Sequence, residues 1–328
     1  MKIGIPQALL YYYYYPLWKT LFQELGHEVV LSGASNKTIV DSGIKKSVPE
    51  ICVPIKVFNG HIQELINQKV DYIYIPRFVS IKKGETFCPK FLGLTDMVSA
   101  TFPELEGKII SPKIKTRTEN IADFSLYKEL ISILGINNER ELKSALRAAK
   151  RDWIRFRSIS KKGYLISEAL GLMEEKGKIL ARPQTGTVNI GLIGYVYDVY
   201  DEFVSMNVTV KLRELGANVY TFEMLDEKLI DREIKPMRKP LFWTFSNKIF
   251  GAGLYFYKNP KIDGIIHLTA FGCGPDSFLG KSLEIDSSHF YKPFMTVRVD
   301  EHTGESHLET RIEAFIDMLR KKKKKVEP

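Results

Sequence analysis

Val188-Asn189-Ile190-Gly191-Leu192-Ile193-Gly194 is an apolar run interrupted only by one asparagine and two glycines. A short apolar run bounded by a glycine reads as a buried strand. The residues after it decide the fold. A helical stretch is expected from about Glu202 to Leu215, then Gly216 as a stop, then a strand over Asn218–Phe222. The chain opens in the same way. Lys2-Ile3-Gly4-Ile5 predicts a strand, and Leu17, Leu21 and Leu25 with Trp18 and Phe22 predict a helix over about Pro16–Leu25. Gly26 and a strand over Glu28–Leu31 come next. Glu24-Leu25-Gly26 and Glu214-Leu215-Gly216 close the two helices alike, so the halves read as diverged copies of one β-α-β unit. Strands alternating with helices favour parallel sheets. The expected fold is α/β: two Rossmann-like lobes with parallel sheets, joined by a helical segment.

Outward from these openings, Asn36–Gly43 predicts a helix with Asn36 as its cap and Gly43 as its stop. A further helix is expected from Cys52 to about Gln68, and strands over Asp71–Ile75 and Lys108–Ser111. The stretch 118–180 carries apolar residues at helical spacing, among them Leu142, Leu146, Ala149, Ile154, Leu165 and Leu170. Strands over Asp263–Leu268 and Phe294–Val299 and a helix over His307–Leu319 complete the second half. The expected division is an N-terminal lobe over 1–117 with Cys52 and Cys88, and a helical connector over 118–186. A C-terminal lobe over 187–320 with Cys273 and a basic, disordered tail over 321–328 complete the chain.

The chain's 328 residues and 44% hydrophobic content suffice for two cores. No apolar run approaches the roughly 20 residues of a membrane span, and the first residues lack the apolar core of a secretory signal. A cytoplasmic protein with no membrane partner is expected. The net charge of +9 is concentrated in the six basic residues Arg320–Lys325, and such blocks are usually solvated. With no helix-turn-helix, zinc-finger or RNP-like signature, nucleic acid is not an expected partner. Neither Gly-x-x-x-x-Gly-Lys-Ser/Thr nor Gly-x-Gly-x-x-Gly occurs, so no nucleotide site is expected in this chain.

The three cysteines, Cys52, Cys88 and Cys273, are an odd number in a chain read as cytoplasmic, which points away from a disulfide framework. Their neighbours share a device: Pro54 after Cys52, Pro89 after Cys88, and Gly274-Pro275 after Cys273. Proline is favoured in the first helical turn. Each cysteine should therefore stand at a helix or turn start, where unpaired N–H groups and the positive dipole end favour an anionic sulfur with a depressed pKa. Gly274 would let backbone approach a bulky group. Buried apolar cysteines are the plain alternative. Zinc with His61 or His267 as a fourth ligand is another, although no close Cys-x-x-Cys pair is present. Three soft thiolates suit an iron–sulfur cluster.

At these residues the chain resembles the 2-hydroxyacyl-CoA dehydratase D-component superfamily, in its stand-alone activase-related branch. The resemblance rests on Glu50-Ile51-Cys52-Val53-Pro54-Ile55-Lys56 with Asn59-Gly60-His61, on Ile75-Pro76-Arg77, and on Phe87-Cys88-Pro89-Lys90 with Gly93-Leu94-Thr95-Asp96. It rests also on Phe271-Gly272-Cys273-Gly274-Pro275-Asp276-Ser277, on the opening Ile5–Tyr12, and on Asp300-Glu301-His302-Thr303-Gly304 with Thr310–Phe315. It implies one [4Fe–4S] cluster held between two lobes by Cys52, Cys88 and Cys273. It further implies an open iron for low-potential reductive, anaerobic chemistry on a small-molecule substrate. An ATP-dependent activase with its own iron–sulfur cluster would supply the electrons. A larger cluster shared by two chains, as in a homodimer, is the variant reading. The same cysteines would also suit a dehydratase-like or different oxidoreductase, an electron-transfer relay without a substrate, or a structural or regulatory cluster. Candidate outer-shell groups or fourth ligands are Glu50, Lys56, His61, Arg77, Lys90, Gly274, Asp276 and Ser277, with helix capping the alternative for Glu50 and Asp276. The run Tyr11–Tyr15 is expected mainly to pack, with some rings turned to the cleft or solvent.

Overall fold

The computed structural model describes residues 1–175, 177–237, 239–300 and 303–324. Glu301 and His302 of the late motif, and tail residues 325–328, lie outside the described residues. The first half runs β1 (Lys2–Ile5), α1 (Tyr11–Glu24), β2 (Glu28–Leu31), α2 (Lys37–Lys45), α3 (Val53–Asn67), β3 (Tyr72–Tyr74), β4 (Arg77–Ser80), α4 (Pro89–Leu92), α5 (Leu94–Thr101), β5 (Ile109–Ile110) and β6 (Lys113–Lys115). Three helices come next, α6 (Leu130–Ile133), α7 (Glu139–Ser160) and α8 (Ile166–Gly171). The second half runs β7 (Val188–Ile193), α9 (Val196–Tyr200), α10 (Val208–Glu214), β8 (Ala217–Tyr220), α11 (Glu227–Ile234), α12 (Thr244–Lys258), β9 (Gly264–Ala270), α13 (Gly274–Phe290), β10 (Phe294–Val299) and α14 (Glu305–Lys324). Among the described residues no helix is long and apolar enough to cross a membrane.

Both main sheets are parallel, and they have one topology. The first is ordered β2-β1-β3-β5, the second β8-β7-β9-β10. Ile3 pairs with Val29 and Tyr72 in the first, and Ile190 with Val219 and Gly264 in the second. In each, the chain leaves the opening strand to one side and returns on the other. A switch point therefore lies between β1 and β3, and another between β7 and β9. Parallel α/β sheets bind ligands at the carboxyl ends of the strands flanking such a point. The central strands are covered on both faces, as their near-continuous apolar sequence requires: every residue of β9 is buried.

Several boundaries differ from the sequence reading, each for a physical reason. Helix α1 begins at Tyr11, five residues before the expected start, and carries Pro16 inside it. Tyr14 and Trp18 then stand one turn apart, with Tyr14 stacked on Phe78 at 5.3 Å between ring centroids. That packing outweighs the one helical hydrogen bond that proline removes. Tyr11, Tyr13 and Tyr14 are buried, so the aromatic run mostly packs. In the second half, Met206 and Asn207 adopt left-handed backbone and delay the helix to Val208. The strand pair β4–β6 has no counterpart among the expected strands; β4 begins directly after Pro76, where the apolar strand pattern ends. Nor does Gly43 stop α2, which continues to Lys45.

The molecule divides into two compact units: Met1–Ser158 with Leu170–Glu175 and Leu241–Thr244, and Ile159–Ala169 with Lys176–Pro240 and Phe245–Pro328. The segment 118–186 is therefore not a separate connector. Its first part packs into the first unit, where Trp153 Nε1 donates to Tyr13 O (3.0 Å) and Thr20 Oγ1 to Asp152 (2.7 Å). The Arg157 guanidinium sits 4.6 Å from the centroid of the Tyr13 ring. Its later part joins the second unit, where Glu168 pairs with Arg182 and with both terminal nitrogens of Arg213. Lys321–Lys324, expected to be disordered, continue α14. Basic residues suit a helix C-terminus, and Lys322 and Lys323 donate to the carbonyls of Tyr291 and Thr187.

Candidate functional site

Helices in β-α-β units run opposite to the strands, so the starts of α3 and α13 face the carboxyl edges of their own sheets. Cys52 is the N-cap residue of α3, with φ −62° and ψ 147°. Cys88 is the N-cap residue of α4, with φ −65° and ψ 158°. Cys273 is the N-cap residue of α13, with φ −85° and ψ 102°. In all three, extended backbone meets a helix whose first turn holds the proline that follows the cysteine. None of the three is in a disulfide, and each is half-buried. The prolines thus place every cysteine of the chain at a helix start, as their spacing predicts.

The electrostatics are less uniform than the spacing suggests. Burial raises the Cys88 thiol above its ordinary value, against the N–H groups of Phe91 and Lys90 and the Lys90 charge, which favour the thiolate. The expected depression is therefore not met at Cys88. Its chain neighbours Phe87 and Phe91 are buried, with their rings 5.7 Å apart. A bound soft cation would reverse this balance and deprotonate the sulfur.

His61 has a structural role in place of the one expected. Its ring is buried in α3, with Ser32 Oγ at 2.8 Å from Nδ1 and Ser35 Oγ at 2.8 Å from Nε2. Ser32 Oγ also accepts from the Gln7 backbone N–H at 2.9 Å. One imidazole thus ties the loop after β1, the residue after β2 and the third turn of α3, with a serine hydroxyl at each ring nitrogen. Burial lowers its pKa to about 4 from 6.5. The unfolded chain takes up a proton near pH 6.5, and the native ring resists until about pH 4. The associated stability is fully present above 6.5 and is lost as pH falls through that window, amounting to roughly 3 kcal/mol. Acid unfolding followed by circular dichroism should show this slope, and His61→Gln should flatten it; an unchanged slope would contradict the assignment.

The remaining candidates separate. Lys56 is buried, while Glu50 and Lys90 are exposed; Glu50 is not the cap of α3, since Cys52 is. Arg77 forms a two-pronged ion pair with Asp96, at 2.9 and 2.6 Å. That pair is exposed, so it contributes little stability. Ser277 Oγ donates to the Cys273 carbonyl at 2.8 Å. A side chain at Gly274 would meet no atom within 4 Å. Asp276, expected to cap α13 or bind metal, is instead fully buried and hydrogen-bonded through Oδ1 to His267 Nε2 at 3.0 Å. The sequence reading missed Asp198, also fully buried, beside the same switch point. Its signal was a lone carboxylate in the apolar stretch Val196-Tyr197-Asp198-Val199-Tyr200. Among the described residues of either unit taken alone, no three His, Cys, Asp or Glu side chains group closely enough to hold a metal ion.

A family model described as a CoA enzyme activase uncharacterised domain matches residues 2–225. The matched stretch includes Cys52 and Cys88 and ends before Cys273. No curated protein matches the chain. Among solved structures, a sugar transporter from Clostridium phytofermentans aligns over 98% of this chain and 93% of its own, at 12% identity and a TM-score of 0.20. That score is too low to carry fold or function across.

Proposed function

The chain belongs to the family described as a CoA enzyme activase uncharacterised domain, and from that premise we propose that it is an iron–sulfur protein serving low-potential reductive chemistry. Cys52, Cys88 and Cys273 are the proposed thiolate ligands of one [4Fe–4S] cluster. A partner enzyme follows from the family description, and its proposed form is an ATP-dependent activase that donates electrons. The observation that carries the reading is the common setting of all three cysteines: extended N-cap backbone, a proline in the first turn, and a half-buried thiol outside any disulfide.

The donor set fits the group. Thiolate sulfur is the preferred ligand of such clusters, and N–H groups at helix starts offset the negative charge of the metal-bound sulfurs. When bound, the cluster would supply one-electron transfer and, at an iron without a cysteine, Lewis acidity. This chain's own residues prepare for it. The prolines fix the backbone that presents each sulfur, and the Lys90 charge favours the Cys88 thiolate.

Anaerobic purification tests the proposal. A brown protein with about four irons and four sulfides per chain, giving a reduced-cluster electron paramagnetic resonance signal, is expected. A colourless protein with stoichiometric zinc, or one that takes up no iron on reconstitution, would overturn it. Reduction of the bound cluster by an activase only while ATP is hydrolysed would support the proposed partner.

A further inference from the structure

The second unit contains a group of buried polar side chains that the proposed cluster does not use. Asp198 lies in α9, shortly after β7, and is fully buried. Neither of its carboxylate oxygens has a well-formed hydrogen bond. The same is true of Asp276 Oδ2, His267 Nδ1 and Thr269 Oγ1, on side chains no more than 1% exposed. His267 and Thr269 share one face of β9, because alternate strand residues point the same way. Helix α13 packs against that strand and brings Asp276 to His267. A Cβ at Gly280 would lie 2.3 Å from the His267 ring, so α13 sits as near the ring as a glycine permits. Helix α9 packs against β9 too and carries Asp198.

The charges around Asp198 decide its state. Asp276 from α13 and Asp201 from the end of α9 act on it as like charges, and the Ala270 N–H at the end of β9 gives only partial relief. His267 reaches the group through Asp276. Asp201 is spoken for, accepting from the N–H groups of Phe203 (3.1 Å) and Val204 (3.0 Å). An ionised carboxylate with only one weak backbone donor in a dry interior is too costly to persist, and such a group takes up a proton instead. Burial, the largest influence, holds Asp198 well above the usual carboxylate range, and the two neighbouring aspartates add to it.

The geometry points to a buried proton store at the carboxyl edge of the second sheet, in which Asp198 carries a proton at neutral pH. A proton leaving Asp198 Oδ leaves the carboxylate anionic until a proton from solvent replaces it. Asp276 lies in the first turn of α13, directly after Cys273, so the store would serve chemistry on that loop. Its use as a proton donor rests on the proposed function, whereas the stored proton itself does not.

Infrared spectroscopy of the full-length chain at pH 7, labelled with 13C-aspartate, tests this. A protonated-carboxyl C=O band that shifts with the label should be present in the wild type, absent in Asp198→Asn and retained in Asp201→Asn. No labelled band in the wild type, or an undiminished band in Asp198→Asn, would overturn the store. Thermal stability gives a second reading. An acid whose folded pKa is raised contributes stability below its unfolded value, near 3.9, and that contribution is lost as pH rises. The Tm advantage of Asp198→Asn over wild type should therefore widen from pH 4 to pH 8, and a constant difference would count against the store. Should the variant not fold, the wild-type band alone decides: it must survive at pH 7. Iron content is read separately, so a chain that lacks a cluster but keeps the band loses only the proposed function.

Discussion

Replacing Cys273 with alanine is expected to reduce the iron of the anaerobically purified protein from about four atoms per chain to below about one. Cys52→Ala and Cys88→Ala should do the same. The Cys273 variant is the most informative of the three, because the family match ends at residue 225 and does not vouch for the second unit's cysteine. All three side chains are half-buried and none is cross-linked, so alanine should change Tm little in the metal-free protein. Iron loss without loss of fold would then read as loss of a ligand. Full iron retention in any one variant would remove that cysteine from the set. Reconstitution rate adds an independent check. Metal binding requires the thiolate and releases its proton, and burial raises the Cys88 thiol, so uptake by the metal-free wild type should quicken as pH rises.

The sequence carried the architecture wherever local chemistry and tertiary packing agree. Lys2–Ile5 and Val188–Ile193 read as strands, and the matching orders β2-β1-β3-β5 and β8-β7-β9-β10 fit the repeat they open. The helix starts at the cysteines were legible because proline acts locally. Contacts between distant residues were not. Pro16 looked like the first residue of a helix, yet the stacking of Tyr14 on Phe78 draws α1 back to Tyr11. His61 looked like a metal-site residue, and only the fold brings Ser32 and Ser35 to its two nitrogens. Asp276 looked like a helix cap, and the partner that buries it, His267, lies across a sheet–helix interface. Asp198 could be seen as an oddity in an apolar stretch, but its meaning depends on which carboxylates the fold places beside it.

Gly60→Ala should be among the most damaging small substitutions in the first unit, lowering its stability by about 2 kcal/mol or more. Gly43 and Gly60 form a reciprocal crossing of α2 and α3. A Cβ on Gly60 would stand 2.0 Å from the carbonyl oxygen of Ile39, and one on Gly43 would stand 1.9 Å from that of Lys56. Both obstacles are backbone, so no side chain can rotate out of the way, and the helices must separate. Alanine's better helix propensity returns at most about 1 kcal/mol, which does not offset the lost packing. Because α3 is capped by Cys52 and carries His61, a displaced α3 also disturbs the serine–imidazole tie and the presentation of the Cys52 sulfur. Gly60→Ala should therefore lower both Tm and iron content. Gly274→Ala is the matched control: it lies at the start of α13 with nothing within 4 Å of its would-be Cβ, so Tm should hold or rise slightly. If a cluster approaches that backbone closely, iron content should fall in Gly274→Ala while Tm does not. Equal Tm for Gly60→Ala and wild type would mean that the α2–α3 crossing is looser than the structure draws it, and Cys52 would lose its fixed support.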